Sequence, residues 1–237
     1  MTTVEPQLST EVLEFAAASA RDAERAYRVF HETGTVRGSG TVNFVERVPG
    51  EDLAVQLNPP GPWSTETAIE PVIATFDGQI LSGRGHAAFV PTFGRVFRER
   101  PEITSAVHVH SPWLGGWAQT HLPLPIRYAA SQRLTLSRQV YPHLDRSVNA
   151  GDFILEKLQI DPDLVAIFEA NGGSHVIGRS GLIALAKFVV LLEEGANYQA
   201  IGETLGGSEE FDETNLVEQW SRTGLLEEAR RRGLVSP

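Results

Sequence analysis

The feature that most restricts the fold of this 237-residue chain is a long apolar helix near its C-terminal end. Residues 180–205 (SGLIALAKFVVLLEEGANYQAIGETL) predict one helix, and its first half is apolar on nearly all sides. Such a helix is stable in water only when other elements cover it from several directions. The rest of the chain must therefore supply that cover.

Helices and short strands elsewhere in the chain can provide this cover. Residues 9–33 carry apolar side chains at helical spacing and end before Gly34, which predicts an amphipathic helix. Asp77-Gly78 predicts a hairpin turn between two strands. Further strands are predicted at residues 41–45, 53–58, 103–110, 164–170 and 175–178, and further helices at 91–100 and 215–231. Helices that flank a short-stranded, partly antiparallel sheet indicate a layered α/β/α domain.

Composition limits the chemistry that the chain can perform. It contains no cysteine, which excludes disulfides, cysteine-bound metals and thiol catalysis, so any metal must be held by histidine, carboxylate or water. Its 20 Lys and Arg against 30 Asp and Glu give a net charge of −10, which repels nucleic acids and anionic lipids. The sequence shows neither a long apolar run nor the pattern of a signal peptide. We therefore predict a cytoplasmic protein without nucleic-acid or membrane partners.

Two histidines at the end of a predicted strand are the most specific local signal. In ITSAVHVH (residues 103–110), alternation places His108 and His110 on the same face. Ser111 and Pro112 follow in the order of a helix N-cap and a first helical residue, so both histidines lie where a strand ends and a helix begins. Two imidazoles at this spacing can converge on one metal ion. The alternative is a pair of half-buried histidines with ordinary hydrogen-bond partners.

The surrounding segment resembles a known metal centre. Residues 95–133 (RVFRERPEITSAVHVHSPWLGGWAQTHLPLPIRYAASQR) resemble the metal-binding segment of the class II aldolase/adducin superfamily. Three other segments agree with that superfamily in the same order along the chain: GSGTVNFVERVPG (38–50), LNPPGPW (57–63) and residues 167–206. The resemblance implies a family domain at residues 9–206, between a flexible N-terminus at 1–8 and a C-terminal helical tail at 207–237.

The resemblance also implies an architecture and a chemistry. The expected fold is a three-layer α/β/α sandwich with a central mixed, mostly antiparallel sheet, in a homotetramer whose sites lie at subunit boundaries. Three histidines, sometimes with a carboxylate, are expected to bind one divalent metal ion, which is zinc, iron or manganese. The ion would polarise a carbonyl or hydroxyl of a small-molecule substrate. His108 and His110 match the first two ligands.

The chain departs from the family pattern at two site positions. Phe89 stands where the family has an acidic residue that binds the metal or moves protons, and Gly172 stands where a third histidine ligand is expected. His175 can replace that ligand only if residues 172–174 form a loop or a bulge, because an odd shift reverses the face of a strand; otherwise it is a structural histidine. His86 is the nearest substitute for the lost acid, as a ligand or a general base, unless it is an exposed loop residue.

Other departures concern the substrate. Thr41 and Ala87 replace polar residues of the phosphate-binding pattern, so we expect a nonphosphorylated substrate. Arg133 is a candidate for binding a carboxylate or else a solvated surface charge, and Tyr128 is a candidate for proton transfer. The remaining histidines are expected to lie outside the site: His31 near the end of the first helix, and His121 and His143 in surface loops beside prolines. Four aromatic side chains either line an apolar pocket or belong to the core: Phe89, Phe93, Trp113 and Trp117.

Three functions follow from this resemblance. The first is a metal-dependent lyase that carries out aldol-type cleavage or decarboxylation next to a carbonyl of an aromatic or apolar hydroxy or oxo acid. The second is a non-heme iron oxygenase that oxidatively decarboxylates an aryl 2-oxo acid in secondary metabolism, as a small aminocoumarin-pathway branch of the superfamily does. The third is a noncatalytic, adducin-like scaffold, which the retained His108-Val109-His110 motif disfavours.

Overall fold

A computed structural model describes residues 8–236 of the chain. Its first half contains α1 (Thr10–Glu32), β1 (Val42–Arg47), β2 (Leu53–Leu57), β3 (Pro71–Thr75), β4 (Ile80–Ser82), α2 (Val90–Glu99), β5 (Ser105–Val109) and α3 (Pro112–Thr120). Its second half contains β6 (Leu124–Pro125), α4 (Ala129–Gln132), β7 (Gln139–His143), α5 (Ala150–Ile160), β8 (Ala166–Glu169), β9 (Ser174–Gly178), α6 (Leu182–Thr204), α7 (Glu213–Ser221) and α8 (Leu226–Arg231).

The strands form one nine-stranded sheet in the order β4-β3-β2-β1-β5-β9-β8-β7-β6. Within residues 8–236 the paired strands are antiparallel except β7 and β8, which run parallel. This arrangement confirms the predicted mixed, mostly antiparallel sheet. It also places β5, which carries the histidine pair, next to the β8–β9 hairpin at the centre of the sheet.

Helices cover both faces of the sheet, and each face has its own hydrophobic core. On one face α2 and α5 pack together over a cluster that includes Phe93, Phe97 and Ile154. On the other face α1 and α6 cover a larger cluster that includes Phe30 and Phe44. The predicted three-layer α/β/α sandwich is therefore confirmed.

Helix α6 is covered on one broad side rather than all round. It packs against α1, α3 and α4 and against strands β5 and β9. The buried positions of its first half lie on that side: Leu182, Leu185, Ala186, Phe188, Val189, Leu192 and Glu193. Ala184 and Lys187, on the opposite side, are exposed. A charged residue among the buried positions is unexpected on an apolar helix, and its role is described below.

Several sequence predictions hold at the level of elements. The structure confirms the Asp77-Gly78 turn between β3 and β4, the predicted first helix, and the strand that ends at the histidine pair. Elements β6, α4, β7 and α5 have no counterpart in the predictions, because their segments are short and rich in turn residues. In the tail, the segment predicted as a helix at 215–231 forms two helices, α7 and α8, which are separated at Gly224 with a positive φ of 76°.

The C-terminal tail docks on its own chain. Leu216 and Trp220 of α7, Ala229 of α8 and Val235 form a small core with Leu136. The division of the chain at residues 206 and 207 stays a prediction, and residues 1–7 of the predicted flexible N-terminus lie outside the described range. No helix among residues 8–236 is both long enough and apolar enough to cross a membrane.

Candidate metal centre

Strand register places His175 beside His108. The two residues are direct partners in the antiparallel pairing of β5 with β9, and their ring centroids are 4.5 Å apart. The β8–β9 hairpin makes this possible because the chain turns through residues 170–173, where Asn171 adopts a φ of 54°. The turn therefore lets the side chain of His175 point to the same face of the sheet as that of His108. This is the condition under which His175 could stand in for the missing family ligand.

Glu169, the last residue of β8, completes a cluster with these two histidines. One potential ligand atom from each of His108, Glu169 and His175 lies within 4.8 Å of the others. The Glu169 Oε1 atom is 3.4 Å from His175 Nε2, and its Oε2 atom is 4.0 Å from His108 Nδ1. Sequence analysis missed Glu169, although a carboxylate at the end of an otherwise apolar strand was an available signal.

His110 lies on the outer side of the cluster. Its Nε2 atom is 3.1 Å from His108 Nε2, close to the separation of about 3.3 Å expected for two nitrogens bound to one tetrahedral ion. His110 is half-buried and lines a surface cleft, whereas His108 and His175 are buried. The four side chains therefore extend from the interior of the sheet to the surface.

A glycine makes room for the two histidine rings. A Cβ atom on Gly173 would lie 2.6 Å from His110 Cδ2, 2.9 Å from His108 Cε1 and 2.8 Å from the Val109 carbonyl oxygen. These separations are too short for real contacts. The β8–β9 turn can approach the histidine pair only because residue 173 has no side chain.

Electrostatics keep the cluster in the protonation states that bind metals. Burial, followed by the neighbouring His175 ring, lowers the pKa of His108 to about 3. The imidazole of His175, whose Nε2 atom is 3.4 Å from Glu169 Oε1, lowers the pKa of Glu169 to about 2. At neutral pH His108 is therefore a neutral imidazole and Glu169 a carboxylate, which are the forms that metals require.

The cluster fits a divalent metal ion. The His108 Nδ1 and His175 Nε2 atoms, which both face Glu169, are buried without a hydrogen-bond partner among residues 8–236. Buried polar atoms are normally satisfied, so unpaired ring nitrogens that converge on a carboxylate call for an external partner. Imidazole nitrogens combined with a carboxylate oxygen suit zinc, iron or manganese.

Phe89 and Phe93 pack against the histidines. The Phe89 ring stacks on His108 with 5.0 Å between centroids, and the Phe93 ring meets His175 edge-on at 5.6 Å. Phe89 therefore stands against the cluster, at the position where the family resemblance expects an acid. Phe93 is a residue of α2, and its side chain is fully buried in the core between this helix and the sheet, where it packs against His175.

His86 contacts a different part of the structure. It is exposed in the loop before α2, and its Nδ1 atom lies 3.3 Å from Gln56 Nε2. The Gln56 Oε1 atom accepts a hydrogen bond from the backbone N–H of Phe89. His86 is thus connected to the backbone of Phe89 through Gln56, and it is not one of the three clustered residues.

A cleft of about 410 Å³ opens beside His110. Polar side chains and glycines line it: Arg37, Ser39, His110, Ser111, Pro112, Gly115, Gly116, Gln119, Asn171 and Gly172. Trp113 and Trp117 of α3 are absent from this lining. The Trp117 indole instead donates a hydrogen bond to the Ala196 carbonyl oxygen of α6. The immediate surroundings of His110 are therefore polar rather than aromatic.

Arg133 and Tyr128 also lie outside the cleft lining. The Arg133 Nε atom donates a hydrogen bond to the Ala129 carbonyl oxygen within its own short helix. The Tyr128 ring packs edge-on against Tyr198 of α6, with 5.2 Å between centroids. The contacts of both residues are with helices α4 and α6 and not with the histidine cluster.

Two other arginines lie near the cluster. The Arg146 Nη2 atom is 3.4 Å from Glu169 Oε2, and 55% of the Arg146 side chain is exposed. Arg37 lines the cleft. Sequence analysis missed both, because their segments, a turn before β1 and the loop between β7 and α5, carry no motif that separates them from other surface arginines.

One of the three remaining histidines was placed wrongly. His143 was expected in a surface loop, but it ends β7, is only 2% exposed, and pairs in register with Glu169. Its ring stacks on Phe153 at 4.6 Å. His121 and His31 are exposed as expected; His121 hydrogen-bonds to Asn171, and His31 packs against Tyr27.

Comparisons with known proteins agree with this fold. Residues 21–199 match the family model for the class II aldolase and adducin N-terminal domain. The structure is similar to L-fuculose 1-phosphate aldolase from Glaciozyma antarctica PI12 (18% identity, TM-score 0.68, 99% of this chain and 98% of that chain). It is also similar to YgbL from Escherichia coli (20%, 0.67, 87% and 99%) and to an aldolase II superfamily protein from Pseudomonas syringae (18%, 0.64, 96% and 96%). No curated protein sequence matches the chain significantly.

Proposed function

Because the chain belongs to the class II aldolase and adducin family, we propose that it is a metal-dependent lyase that decarboxylates a nonphosphorylated, aromatic or apolar 3-oxo acid, whose carboxylate is carried by the carbon next to the carbonyl. Aldol-type cleavage of a hydroxy acid of the same aromatic or apolar kind is the closest variant of this reaction. The observation that carries the proposal is the Phe89 ring stacked on His108, where the family resemblance expects an acid.

Phe89 favours decarboxylation for a chemical reason. Aldol cleavage needs a group that takes the proton from the hydroxyl of the carbon that leaves. Loss of carbon dioxide from a carboxylate requires no such base, because the departing carbon carries no proton to remove. A phenyl ring in place of a carboxylate removes proton transfer at that position but does not hinder decarboxylation.

The residues that would hold the metal are His108, His110, His175 and Glu169. A divalent ion bound there supplies Lewis-acid chemistry, in that it polarises a neighbouring carbonyl and stabilises the electron pair left when the bond breaks. The protein keeps His108 neutral chiefly through burial, and it keeps Glu169 ionised through the His175–Glu169 contact. Phe89 and Phe93 exclude water from the inner side of the cluster.

The acid group of the substrate has two candidate partners. Arg146 bonds Glu169 through one nitrogen and is half exposed, so its other donors are free to bind a carboxylate. Arg37 offers a second guanidinium in the cleft beside His110. We therefore propose Arg146 and Arg37, rather than Arg133, as the carboxylate-binding residues. Within one chain we give His86 and Tyr128 no proton-transfer role, because their contacts lie with Gln56 and Tyr198.

The proposal can be tested with purified protein loaded separately with zinc, manganese and iron. Benzoylacetate and related aryl 3-oxo acids serve as probes, and the assay records carbon dioxide release with and without oxygen. We expect release that does not depend on oxygen and that is lost in His108→Ala, while Arg133→Gln leaves it unchanged. Equal release from His108→Ala and wild type would overturn the proposal.

One observation favours a second candidate, an iron-dependent oxygenase. Two histidines and one carboxylate, here His108, His175 and Glu169, are the ligand set of many non-heme iron oxygenases. An oxygen electrode separates the two functions. Oxygen uptake in step with loss of an aryl 2-oxo acid, with iron alone, would establish the oxygenase. A protein that binds no metal would instead support the scaffold hypothesis.

A further inference from the structure

Glu193 of α6 is a buried carboxylate with three hydrogen-bond donors around it. It is 5% exposed. Its Oε2 atom accepts hydrogen bonds from the Ser111 hydroxyl at 2.7 Å and the Leu114 backbone N–H at 2.9 Å, and its Oε1 atom accepts one from the Trp113 N–H at 2.7 Å. All three donors belong to the first turn of α3, which begins two residues after His110.

This arrangement replaces the expected helix cap. The sequence indicated that Ser111 caps α3 with its own oxygen, and Ser111 does occupy the N-cap position. However, its hydroxyl donates to Glu193, and it makes no capping bond to the α3 backbone. The cap of α3 is therefore a carboxylate that reaches across from another helix.

The cap has a direct connection to the metal centre. The backbone N–H of His110 donates to the carbonyl oxygen of Thr41, the residue before β1, at 3.0 Å, and this bond fixes the backbone of the histidine itself. Glu193 fixes the backbone that follows His110, because it accepts hydrogen bonds from Ser111, Trp113 and Leu114. His110 itself is half-buried and lines the cleft, and in residues 8–236 its ring has a single hydrogen-bonding contact, with the His108 ring.

We propose that Glu193 is a positioning residue for the metal centre, which sets the place of the His110 ring by holding the first turn of α3. The inference rests on the proposed function only in taking His108 and His110 as metal ligands. Removing Glu193 frees the segment that carries His110, and the second ligand must then be ordered by the ion itself. Loss of such an outer partner typically reduces metal affinity by about 10- to 100-fold.

The chain contains a matched control. Glu46 of β1 is 8% exposed and accepts hydrogen bonds from the Ser19 hydroxyl at 2.7 Å and from the Leu182 N–H at 3.0 Å, at the first residue of α6. It is therefore also a buried carboxylate that caps a helix from another element. Its cross-strand partner is Ser105, at the end of β5 away from the histidines. Loss of Glu46 removes the same kind of cap without touching the metal centre.

The experiment compares cobalt binding in wild type, Glu193→Gln and Glu46→Gln. Co²⁺ is titrated into metal-free protein, its visible absorption reports the coordination geometry, and melting temperatures are measured without metal. We expect both variants to lose stability, while Glu193→Gln alone weakens Co²⁺ binding at least about tenfold and alters the spectrum. Glu193→Asp, which keeps the charge on a shorter arm, is expected to recover part of the affinity.

Ser111→Ala keeps the experiment decisive if Glu193→Gln does not fold. It removes one of the three donors and leaves the carboxylate in place, and we expect a smaller loss of Co²⁺ affinity in a stable protein. Unchanged affinity and spectrum in Glu193→Gln, or in Ser111→Ala if only that variant folds, would overturn the inference. Because these measurements need no turnover, a wild type that binds Co²⁺ but shows no lyase activity would count against the proposed function alone.

Discussion

Gly173 illustrates how a single residue controls the metal centre. An added Cβ would press on His110, His108 and the Val109 carbonyl, and overpacking of this kind costs about 1–3 kcal/mol in a tightly packed site. We expect Gly173→Ala to lower the free energy of unfolding by this amount and to weaken Co²⁺ binding. Calorimetric titration and urea denaturation measure the two effects.

Gly116 provides the control for that substitution. It lies in α3 and lines the cleft beside His110, but a Cβ atom on Gly116 would meet no other atom within 4 Å. Because alanine is a better helix former than glycine, we expect Gly116→Ala to preserve Co²⁺ affinity and to keep or slightly raise stability. Equal Co²⁺ affinity in both variants would contradict the role given to Gly173.

His108 predicts how stability changes with pH in the metal-free protein. Its pKa is about 3 in the folded protein, lowered mainly by burial, but near 6.5 in an unfolded chain. Below about pH 6.5 the unfolded state therefore binds one proton more at this site, and stability falls by about 1.4 kcal/mol per pH unit down to about pH 3. Glu169 adds a second loss below about pH 4.5, because its folded pKa is also lowered.

Urea denaturation between about pH 7 and pH 5 tests this dependence. The range lies above the ordinary pKa of Glu169, so histidines dominate it. His110 and His143, whose pKa values burial also lowers, contribute in the same direction. We expect a shallower slope in His108→Asn than in wild type; equal slopes would show that His108 titrates alike in both states.

At the scale of elements, the largest buried side chain of the C-terminal helices is Trp220. Trp220 of α7 is fully buried, and its indole N–H lies 3.1 Å from the carbonyl oxygens of Gln132 and Thr135. Truncating a buried tryptophan to alanine typically costs about 3–5 kcal/mol. We expect Trp220→Ala to release α7 and α8 so that a protease cleaves the tail early, whereas Trp220→Phe retains most of the packing. Identical cleavage in Trp220→Ala and wild type would contradict this attachment.

The β8–β9 hairpin is the element that assembles the centre. It carries Glu169 at the end of one strand and His175 near the start of the next, and its tight turn passes against β5. Alternation correctly predicted two strands in this segment. It did not predict which residues face β5, because the facing depends on the number of residues in the turn and on pairing with a strand about 65 residues earlier in the sequence.

At the scale of the whole molecule, the family resemblance implies a homotetramer, and this stays a prediction. Several large apolar side chains are exposed on the single chain, among them Tyr198, Ile201 and Leu205 on the last turns of α6. Light scattering coupled to size exclusion would detect a particle of about 104 kDa, four times the 25.9 kDa of one chain. A particle of about 26 kDa would refute the prediction.

The sequence by itself determined the layered fold, the need to cover α6, the family, and the position of His108 and His110 at the end of a strand. The fold, the cover of α6 and the position of the histidine pair depend on patterns within a few neighbouring residues, either the alternation of a strand or the periodicity of a helix. The family follows instead from the resemblance of four segments in the same order along the chain. Such patterns survive even where individual site residues, such as Phe89, depart from the family.

Only the tertiary structure decided which distant residues join the histidine pair. The strand order and register place Glu169 beside the histidines and bury His143. Arg146 reaches Glu169 because the loop that carries it lies next to β8. Glu193 meets α3 only because the two helices pack together. These contacts join residues as far as about 80 positions apart, and local periodicity carries no information about such pairs.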